Sequence, residues 1–463
     1  MKNIFWLFYL AILIPFILTS CKDDGGGDYA DKETQKINKF VIDNMEFVYY
    51  WNATMDNFDY RTEKDTYDLF DKILKASYDN ELARNIDQWS FLTDDYQALL
   101  DYFAGVRLSM GHSIRLYRLD DVNVIGFIEY VEPDSPASEA ELERGMMFYM
   151  IDGQQLTLSN YSTLLNQDNY TMTFGVLNLD YSITPISPSV ELSATTLQTN
   201  PIHISKVIEY EGKKIGYLMY KSFIDDYNDQ LESVFADFKN QGVSDLVLDL
   251  RYNGGGAVST AILLSSMIAP SSAIGDVFIN TAYNENLDNY YQTRYPDEED
   301  LFTYRLESNA NNLDLNRLVV LTTYKTASAS EMVMYGLSPH MTVYQIGEQT
   351  HGKYYGSITI NDEDVSDEWA MQPIVMRAEN KNNSIDYREG LIPDIDRYDF
   401  LDASDFYPLG DPREDFLALA LEYLTGVKPT GATLKSTERS FTPINKEYKI
   451  SHPLEYDMRI TQR

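Results

Sequence analysis

Two short segments of the chain contain residues that could work together as a nucleophile and a base. The run T-A-S-A-S-E, which starts at Thr326, places Ser328 just before a helix-like stretch, and the run G-E-Q-T-H-G-K ends on Lys353. A serine hydroxyl attacks a carbonyl well only when a neighbouring base takes its proton. Lysine can be that base where burial or a nearby cation keeps it neutral. The two segments therefore predict a serine nucleophile with a lysine base.

More familiar catalytic signatures are missing from the sequence. The chain has 5 histidines in all, and neither a G-x-S-x-G elbow nor an H-E-x-x-H helix occurs. The residues from Glu331 to Tyr335 continue as a helix, which places Ser328 at a helix N-terminus. There the free N–H of Ala329 can stabilise an oxyanion.

A glycine run upstream predicts the other half of the same site. The apolar segment from Val247 to Leu250 reads as a buried strand, R-Y-N-G-G-G follows from Arg251, and a helix-like run extends from Ala257 to Ile268. Successive glycines let the backbone approach a ligand closely. A phosphate loop is the rival interpretation, but no Gly-Lys-Ser/Thr follows. Because ligand sites of α/β sheets lie at the carboxyl ends of strands, this run and Ser328 are predicted to share one site.

Taken together, these motifs resemble those of the C-terminal processing peptidases, also called tail-specific proteases. The motifs are D-L-R-Y-N-G-G-G, A-S-A-S-E, G-E-Q-T-H-G-K and G-L-I-P-D-I, in that order. The resemblance covers roughly residues 105 to 425 and implies that Ser328 is the nucleophile and Lys353 the general base. It also implies an oxyanion hole formed by the amides of Ala329 and of Gly254 or Gly255. No metal or cofactor is required.

Three positions depart from the family pattern. Many members carry a glutamine four residues after the lysine, where this chain has Ser357, which could still orient the ammonium. Pro339 stands where an acidic or amide residue is frequent. His351 replaces a frequent phenylalanine. The favoured interpretation is that its ring only lines the site as a wall residue, rather than shifting the pKa of Lys353.

Charged residues near the two motifs have simpler interpretations than catalysis. Asp249 and Arg251 flank the glycine run, and an ion pair that braces the strand end is favoured over a role in positioning the substrate. Glu331 lies in the first turn of the helix that follows Ser328, where an acidic side chain interacts favourably with the helix dipole. We therefore expect structural roles for all three residues.

The composition excludes some classes of partner. The chain has 463 residues, and 72 acidic against 37 basic residues give a net charge of −35. Such acidity argues against nucleic acid or an anionic membrane surface as a partner. Aromatic residues are frequent, which suits peptide or glycan grooves, although most aromatic side chains simply pack.

The N-terminus reads as a lipoprotein leader. Lys2 precedes an apolar run from Ile4 to Leu18 that is short for a spanning helix, and L-T-S-C ends on Cys21. This resembles a bacterial lipobox and implies lipidation of Cys21, the single cysteine, so that no intrachain disulfide can form. The acidic residues after it resemble a surface-export signal of Bacteroidetes-type lipoproteins. The expected location is the cell envelope, lipid-anchored in the outer membrane, with surface exposure as the finer expectation.

Alternation of strands and helices predicts a multidomain α+β and α/β protein. The predicted parts are an N-terminal helical domain, a PDZ-like β-rich domain and a crotonase-like α/β peptidase core. Their boundaries are a leader at 1–20, a tether at 21–33, the helical domain at 34–104, the PDZ-like domain at 105–195, the core at 196–427 and a tail at 428–463. A polar, tyrosine-rich stretch at 276–314 reads as a surface insertion.

The PDZ-like assignment rests on an ordered set of short motifs. A strand from Ile125 to Val131 is followed by S-P-A, a turn glycine and I-D-G. PDZ domains bind a peptide C-terminus as an added strand, with its carboxylate on backbone amides. The candidate carboxylate loop contains Gly111, His112 and Ser113, and Ile114 begins the strand that faces the peptide.

The sequence as a whole predicts a lipid-anchored serine endopeptidase that captures the C-termini of unfolded proteins and cuts near them. One rival is a catalytically inactive, peptide-binding lipoprotein of the same fold. A second rival is a carbohydrate-binding surface lipoprotein, which would not require the spacing of Ser328 and Lys353. The natural substrate and the oligomeric state do not follow from the sequence.

Overall fold

The computed structural model describes residues 29–178, 180–298, 300–382, 387–400, 406–432, 442–444 and 458–460. The predicted leader and Cys21 lie outside these residues, as do most of the tether and tail. Among the described residues, none of the helices combines the length and the apolar character of a transmembrane segment.

The N-terminal region consists of three helices and short strands. They are α1 (Lys32–Val48), α2 (Thr66–Leu74), β1 (Tyr78–Asp79), β2 (Arg84–Asn85), β3 (Phe91–Thr93) and α3 (Tyr96–Phe103). The carboxylate of Asp31 caps α1 by accepting from the amides of Glu33 and Thr34, which would otherwise lack partners. Buried apolar residues of α1 and α2 belong to the same hydrophobic core as the helices near Ser328. This region therefore shares its core with the α/β part of the chain that contains Ser328.

The middle of the chain forms an antiparallel β domain with two short helices. Its elements are β4 (Val106–Ser109), β5 (His112–Arg118), β6 (Val124–Val131), α4 (Pro136–Glu139), β7 (Met147–Ile151), β8 (Gln154–Gln155), α5 (Tyr161–Leu165), β9 (Asn169–Leu177), β10 (Ile183–Pro185), β11 (Val190–Ser193) and β12 (Thr195–Gln198). Strands β10, β9, β7, β6 and β5 are neighbours in that order, and the short strand β26 (Thr442–Pro443) pairs with β5. The expected strands at Ile114 and at 125–131 are present.

A parallel sheet with crossover helices follows. In chain order the elements are β13 (Ile202–Tyr210), β14 (Lys213–Tyr220), α6 (Asn228–Gln241), β15 (Asp245–Asp249), β16 (Gly256–Ala257), α7 (Val258–Ile268), β17 (Val277–Tyr283), α8 (Glu285–Arg294), β18 (Thr303–Arg305), β19 (Arg317–Thr322), α9 (Ala329–Leu337), β20 (Thr342–Gly347), β21 (Tyr355–Ser357), β22 (Ile360–Asp362), β23 (Ser366–Gln372), β24 (Ile374–Asn380), β25 (Ile395–Asp396) and α10 (Asp415–Thr425). Strands β14, β15, β19, β20 and β25 pair in parallel, and β13 adds an antiparallel edge. The α/β prediction for this region agrees with the pairing, because β15 and β19 are neighbours and their carboxyl ends lead to the glycine run and to Ser328.

The stretch at 276–314 is not only a surface insertion, and that interpretation is wrong for its first part. Residues 277–283 form β17, which pairs with β24 and carries the fully buried Phe278 and Ile279. A second sheet runs β16, β27 (Met458–Arg459), β21, β24, β17 and β18. The many polar residues of the stretch lie in α8 and its loops, which is why composition alone suggested a surface segment.

Buried ion pairs connect the β domain to the α/β part of the chain. They are Arg115 with Glu348 at 2.7 Å, Lys325 with Glu129 at 2.6 Å, Arg144 with Asp399 at 2.7 Å, and Lys221 with Glu132. Buried charges of this kind cost stability unless both partners remain. The two parts are therefore expected to stay in register while these pairs are intact.

Candidate active site

Ser328 lies in a strained, fully buried turn between β19 and α9. Its backbone has φ of 63° and ψ of −116°, a combination that residues with a side chain rarely adopt, and none of its surface is exposed. It is the N-cap of α9, so the helix begins at Ala329 as the sequence predicts. The turn directs this end of the helix toward the glycine run.

Hydrogen bonds tie the serine turn to the glycine run. The main-chain oxygen of Asn253 accepts from the Ala327 N–H at 3.1 Å and from the Ser330 hydroxyl at 3.0 Å. The Asn253 side chain donates to the Tyr220 carbonyl at 2.9 Å. Sequence reasoning gave Asn253 no role, and its place directly before the three glycines is the signal that could have found it.

The two predicted catalytic residues meet at the carboxylate of Glu331. One of its oxygens, Oε2, accepts from the Ser328 N–H at 2.8 Å and from the Lys353 N–H at 2.9 Å. The other, Oε1, accepts from the Gly352 N–H at 2.7 Å and from the Thr350 hydroxyl at 2.5 Å. Glu331 therefore holds the Ser328 turn and the lysine segment against each other, which goes beyond the helix-dipole role expected for it.

Lys353 is 2% exposed and lies among aromatic side chains. Its Nζ is 5.7 Å from the ring centroid of Trp89, which the N-terminal region supplies. The ring of His351 lies 6.2 Å from that of Trp89, edge to face, which agrees with its reading as a wall residue. These aromatic side chains shield the lysine from water.

The structure corrects one of the predicted oxyanion donors. The N–H of Gly255 donates to the Asn253 side chain at 2.9 Å, so it is not available to a substrate. Within the described ranges, no atom accepts a hydrogen bond from the N–H of Ala329 or from that of Gly254. The asparagine side chain therefore selects Gly254 as the candidate partner of Ala329.

The third glycine of the run is needed for packing. Gly256 has φ of 137°, and a Cβ there would lie 2.3 Å from the Phe223 carbonyl oxygen. A side chain would disrupt the contact between this run and the end of β14.

Ser357 has a partner that the sequence did not indicate. Its hydroxyl accepts from Gln372 Nε2 at 3.1 Å, and Gln372 Oε1 accepts from the Thr359 hydroxyl at 2.7 Å. An amide side chain from β23 thus lies near the position where the family pattern has a glutamine. Whether Ser357 orients Lys353 stays a prediction.

The expected ion pair of Asp249 and Arg251 is present and fully buried, at 2.6 Å. Arg251 also pairs with Glu414 at 2.8 Å. The two residues brace the strand end, as the favoured interpretation predicts.

The candidate peptide loop of the β domain contacts the serine turn through Lys325. Its Nζ lies 3.0 Å from the Ile114 carbonyl and 3.3 Å from the Ser113 hydroxyl. His112 bonds the Tyr170 hydroxyl at 3.0 Å, and burial lowers the pKa of His112 to about 4, so the ring is neutral near pH 7. Gly111 turns the chain with φ of 83°. Peptide binding by this loop stays a prediction.

In the described part of the chain, no cluster of three histidine, cysteine or acidic residues could hold a metal ion. The arrangement of a buried serine, a buried lysine and two unengaged amides can perform acyl transfer by a serine nucleophile.

Comparisons with known proteins agree with this class of site. Residues 214–397 match the model of peptidase family S41, and residues 36–91 match its N-terminal domain. The chain belongs to peptidase family S41. A crystal structure described as an S41 protease from Bacteroides fragilis shares 28% identity and a TM-score of 0.67, over 84% of this chain and 98% of that one. The fold is thus the mixed α/β multidomain fold of S41 proteases.

Curated relatives carry the names that the motifs suggested. The carboxyl-terminal-processing protease of Picosynechococcus sp. is 24% identical over 277 residues, which is 57% of this chain and 61% of that protein. The tail-specific protease of Haemophilus influenzae is 25% identical over 211 residues, 44% of this chain and 27% of that protein. The chain thus spans less than two thirds of the length of these relatives.

Replacing Gly352 with alanine should destabilise the protein more than the same change at Gly212. Both residues have positive φ, 96° and 76°, so each variant carries backbone strain of about 1 kcal/mol. At Gly352 a Cβ would also lie 2.4 Å from the Arg388 carbonyl oxygen, while Gly212 faces open space. We expect about 2 kcal/mol more destabilisation for Gly352→Ala, measured by urea unfolding. Equal losses of unfolding free energy in the two variants would contradict the close contact between Gly352 and the Arg388 carbonyl.

Glu331 should make stability depend on pH. Burial raises its pKa from 4.5 to about 7, against its hydrogen bonds, which lower it. The folded state therefore favours the protonated carboxyl. Protonation of Glu331 therefore adds on the order of 3 kcal/mol to the free energy of unfolding. This stabilisation is fully present below pH 4.5 and is lost as the pH rises through 7. Unfolding free energies from pH 4 to 8 should fall more steeply for the parent chain than for Glu331→Gln, and parallel curves would refute this.

Proposed function

We propose that the protein is a serine endopeptidase that cuts other proteins near their C-termini, with Ser328 as nucleophile and Lys353 as general base. The observation that carries this proposal is the shared Glu331 oxygen, which binds the main-chain nitrogens of both residues. Two loops that are separate in the sequence thereby form one centre beside the unengaged amides of Ala329 and Gly254.

The chemistry follows from that geometry. Neutral Lys353 takes the proton of the Ser328 hydroxyl as the oxygen attacks a peptide carbonyl, and the oxyanion is stabilised by the amides of Ala329 and Gly254. The lysine then gives its proton to the leaving amine as the acyl-enzyme forms. A water that loses its proton to Lys353 attacks the ester, and the new C-terminus leaves as Ser328 regains its proton.

We further propose that the β domain is PDZ-like and captures the substrate's C-terminus. Its strand β5 begins at the turn of Gly111, and Lys325 links Ser113 and Ile114 to the segment that carries Ser328. A peptide bound at this strand would therefore lie close to the nucleophile turn. The core would be crotonase-like.

The cellular setting is proposed from the leader alone. Lipidation at Cys21 would attach the protein to the outer membrane of the cell envelope, and proteins or their C-terminal peptides would be its partners. Metabolic labelling with a radioactive fatty acid tests this, since Cys21→Ser should lose the label and remain in the soluble fraction. Equal labelling of both forms would contradict the anchor.

The enzyme and the inactive peptide-binding alternative differ in turnover. Purified chain beginning after Cys21 should degrade an unfolded protein with an apolar C-terminal tail and should bind the tail peptide. Binding of the tail without any cleavage, over a range of pH, would support the inactive module instead.

A further inference from the structure

The segment at 458–460 lies between β16 and β21 of the second sheet. Met458 and Arg459 pair in parallel with Gly256 and Ala257, and on the other side Arg459 pairs with Ser357. The Ile460 N–H donates to the Ser357 carbonyl at 3.0 Å. An extended piece of this chain thus lies between the glycine run and the strand that follows Lys353.

The side chain of Arg459 enters a small acidic and aromatic pocket. Its guanidinium lies 3.9 Å from the ring centroid of Phe103, and its Nη2 is 3.3 Å from Asp225 Oδ1. A cavity of about 420 Å³ lies beside it, with Asp226 and Thr359 in its wall. Aromatic faces and carboxylates are the groups that attract a guanidinium or ammonium. The pocket therefore suits a basic side chain.

A peptidase that acts on unfolded protein must hold its substrate as an extended strand beside the nucleophile. Edges of strands bind such segments through main-chain hydrogen bonds, while pockets choose side chains. Both features are present around residues 458–460. We propose that this position between β16 and β21 is the strand-addition site for the substrate, that Phe103 and Asp225 form its subsite for an arginine or lysine, and that residues 458–460 occupy it until a substrate displaces them.

A second contact of the same tail supports competition with the substrate. Residues 442–443 pair with β5, the strand proposed to bind C-termini, and the Ile444 N–H donates to the Leu116 carbonyl at 3.1 Å. Ile444 is buried in the core of the β domain. The tail thus lies on both surfaces where a substrate is expected. A tethered segment competes at a high effective concentration.

The inference rests on the proposed peptidase function for its biological meaning, but its test does not require cleavage. The probe is the fluorescent peptide Y-D-M-R-I-T-Q-R, and its anisotropy is measured with full-length Ser328→Ala chain. A second peptide carries glutamate in place of the arginine. Arg459→Glu in the chain should weaken self-occupation and tighten binding of the first peptide about tenfold. Arg61→Glu, a charge reversal at an exposed arginine of the N-terminal region, should leave affinity unchanged.

Reversing the pocket charge tests the subsite independently of the tail. The Asp225 side chain is half exposed, so its pairing is modest. The parent chain should prefer the arginine peptide by about fivefold, and Asp225→Lys should prefer the glutamate peptide. Both peptides compete with the same tail, so the ratio of their two affinities reports the charge preference of the subsite. Thermal unfolding of each variant confirms that it is folded.

An unchanged affinity in folded Arg459→Glu, or the same peptide preference with and without Asp225→Lys, would overturn the proposal. If Arg459→Glu does not fold, Arg459→Gln is measured in its place and must meet the same criterion. Absence of cleavage with these binding changes intact would refute the peptidase function alone.

Discussion

Ser328→Ala and Lys353→Met should each lower the rate of protein cleavage by about 10⁴-fold or more, because nucleophile and base act as one unit. Methionine keeps the length of the lysine side chain but cannot accept a proton. Both variants should stay folded, and the double variant should be little slower than either single one. Release of fluorescent fragments from an unfolded, labelled protein measures the rates.

The matched controls are Ser338→Ala and Lys75→Met. Ser338 follows the far end of α9, and Lys75 is exposed in the N-terminal region, so both variants should cleave at the parent rate. Loss of activity in the controls, or retention of activity in Lys353→Met, would show that the base lies elsewhere.

Glu331→Leu should have the next largest effect, on activity and stability together. Leucine nearly fills the space of the side chain but accepts no hydrogen bond, so four buried donors lose their acceptor. We expect a loss on the order of 4 kcal/mol in the free energy of unfolding. We also expect kcat to fall about 100-fold at a temperature where the variant is folded, since the serine and lysine segments would separate.

The control variant Asp245→Leu separates the loss of activity from the loss of stability. Asp245 is buried at the amino end of β15, far along the strand from the glycine run, and pairs with Arg317 at 2.6 Å. Its loss should destabilise the protein comparably while leaving the kcat of the folded molecules near the parent value. If Asp245→Leu and Glu331→Leu lower kcat equally, Glu331 has no special part in aligning the site.

The sequence predicts the local elements of the site well, because each depends on residues close together in the chain. The helix after Ser328 and the strand before the glycine run follow from short apolar patterns. The residue types in the motifs and the order of the motifs along the chain are enough to select Ser328 and Lys353 as candidate catalytic residues.

Contacts between distant segments explain what the sequence could not predict. Nothing local shows that Glu331 bonds the lysine segment, or that the Asn253 side chain engages Gly255 and leaves Gly254 as the donor. The strand at 277–283 was hidden by its polar neighbours. The tail strand β27 pairs with residues far away in the sequence, and its own residues carry no strong strand pattern.

The most direct test of tail-directed cleavage is a map of the cuts made in an unfolded protein with an apolar C-terminal tail. Intact-mass spectrometry of the products would be compared for the parent chain and Ser328→Ala, with the same substrate carrying a charged tail as control. The parent should make its first cuts near the apolar C-terminus and cut the charged-tail substrate far less, and Ser328→Ala should make no cuts. Equal cutting by Ser328→Ala, or first cuts spread along the substrate regardless of its tail, would contradict a tail-directed serine peptidase.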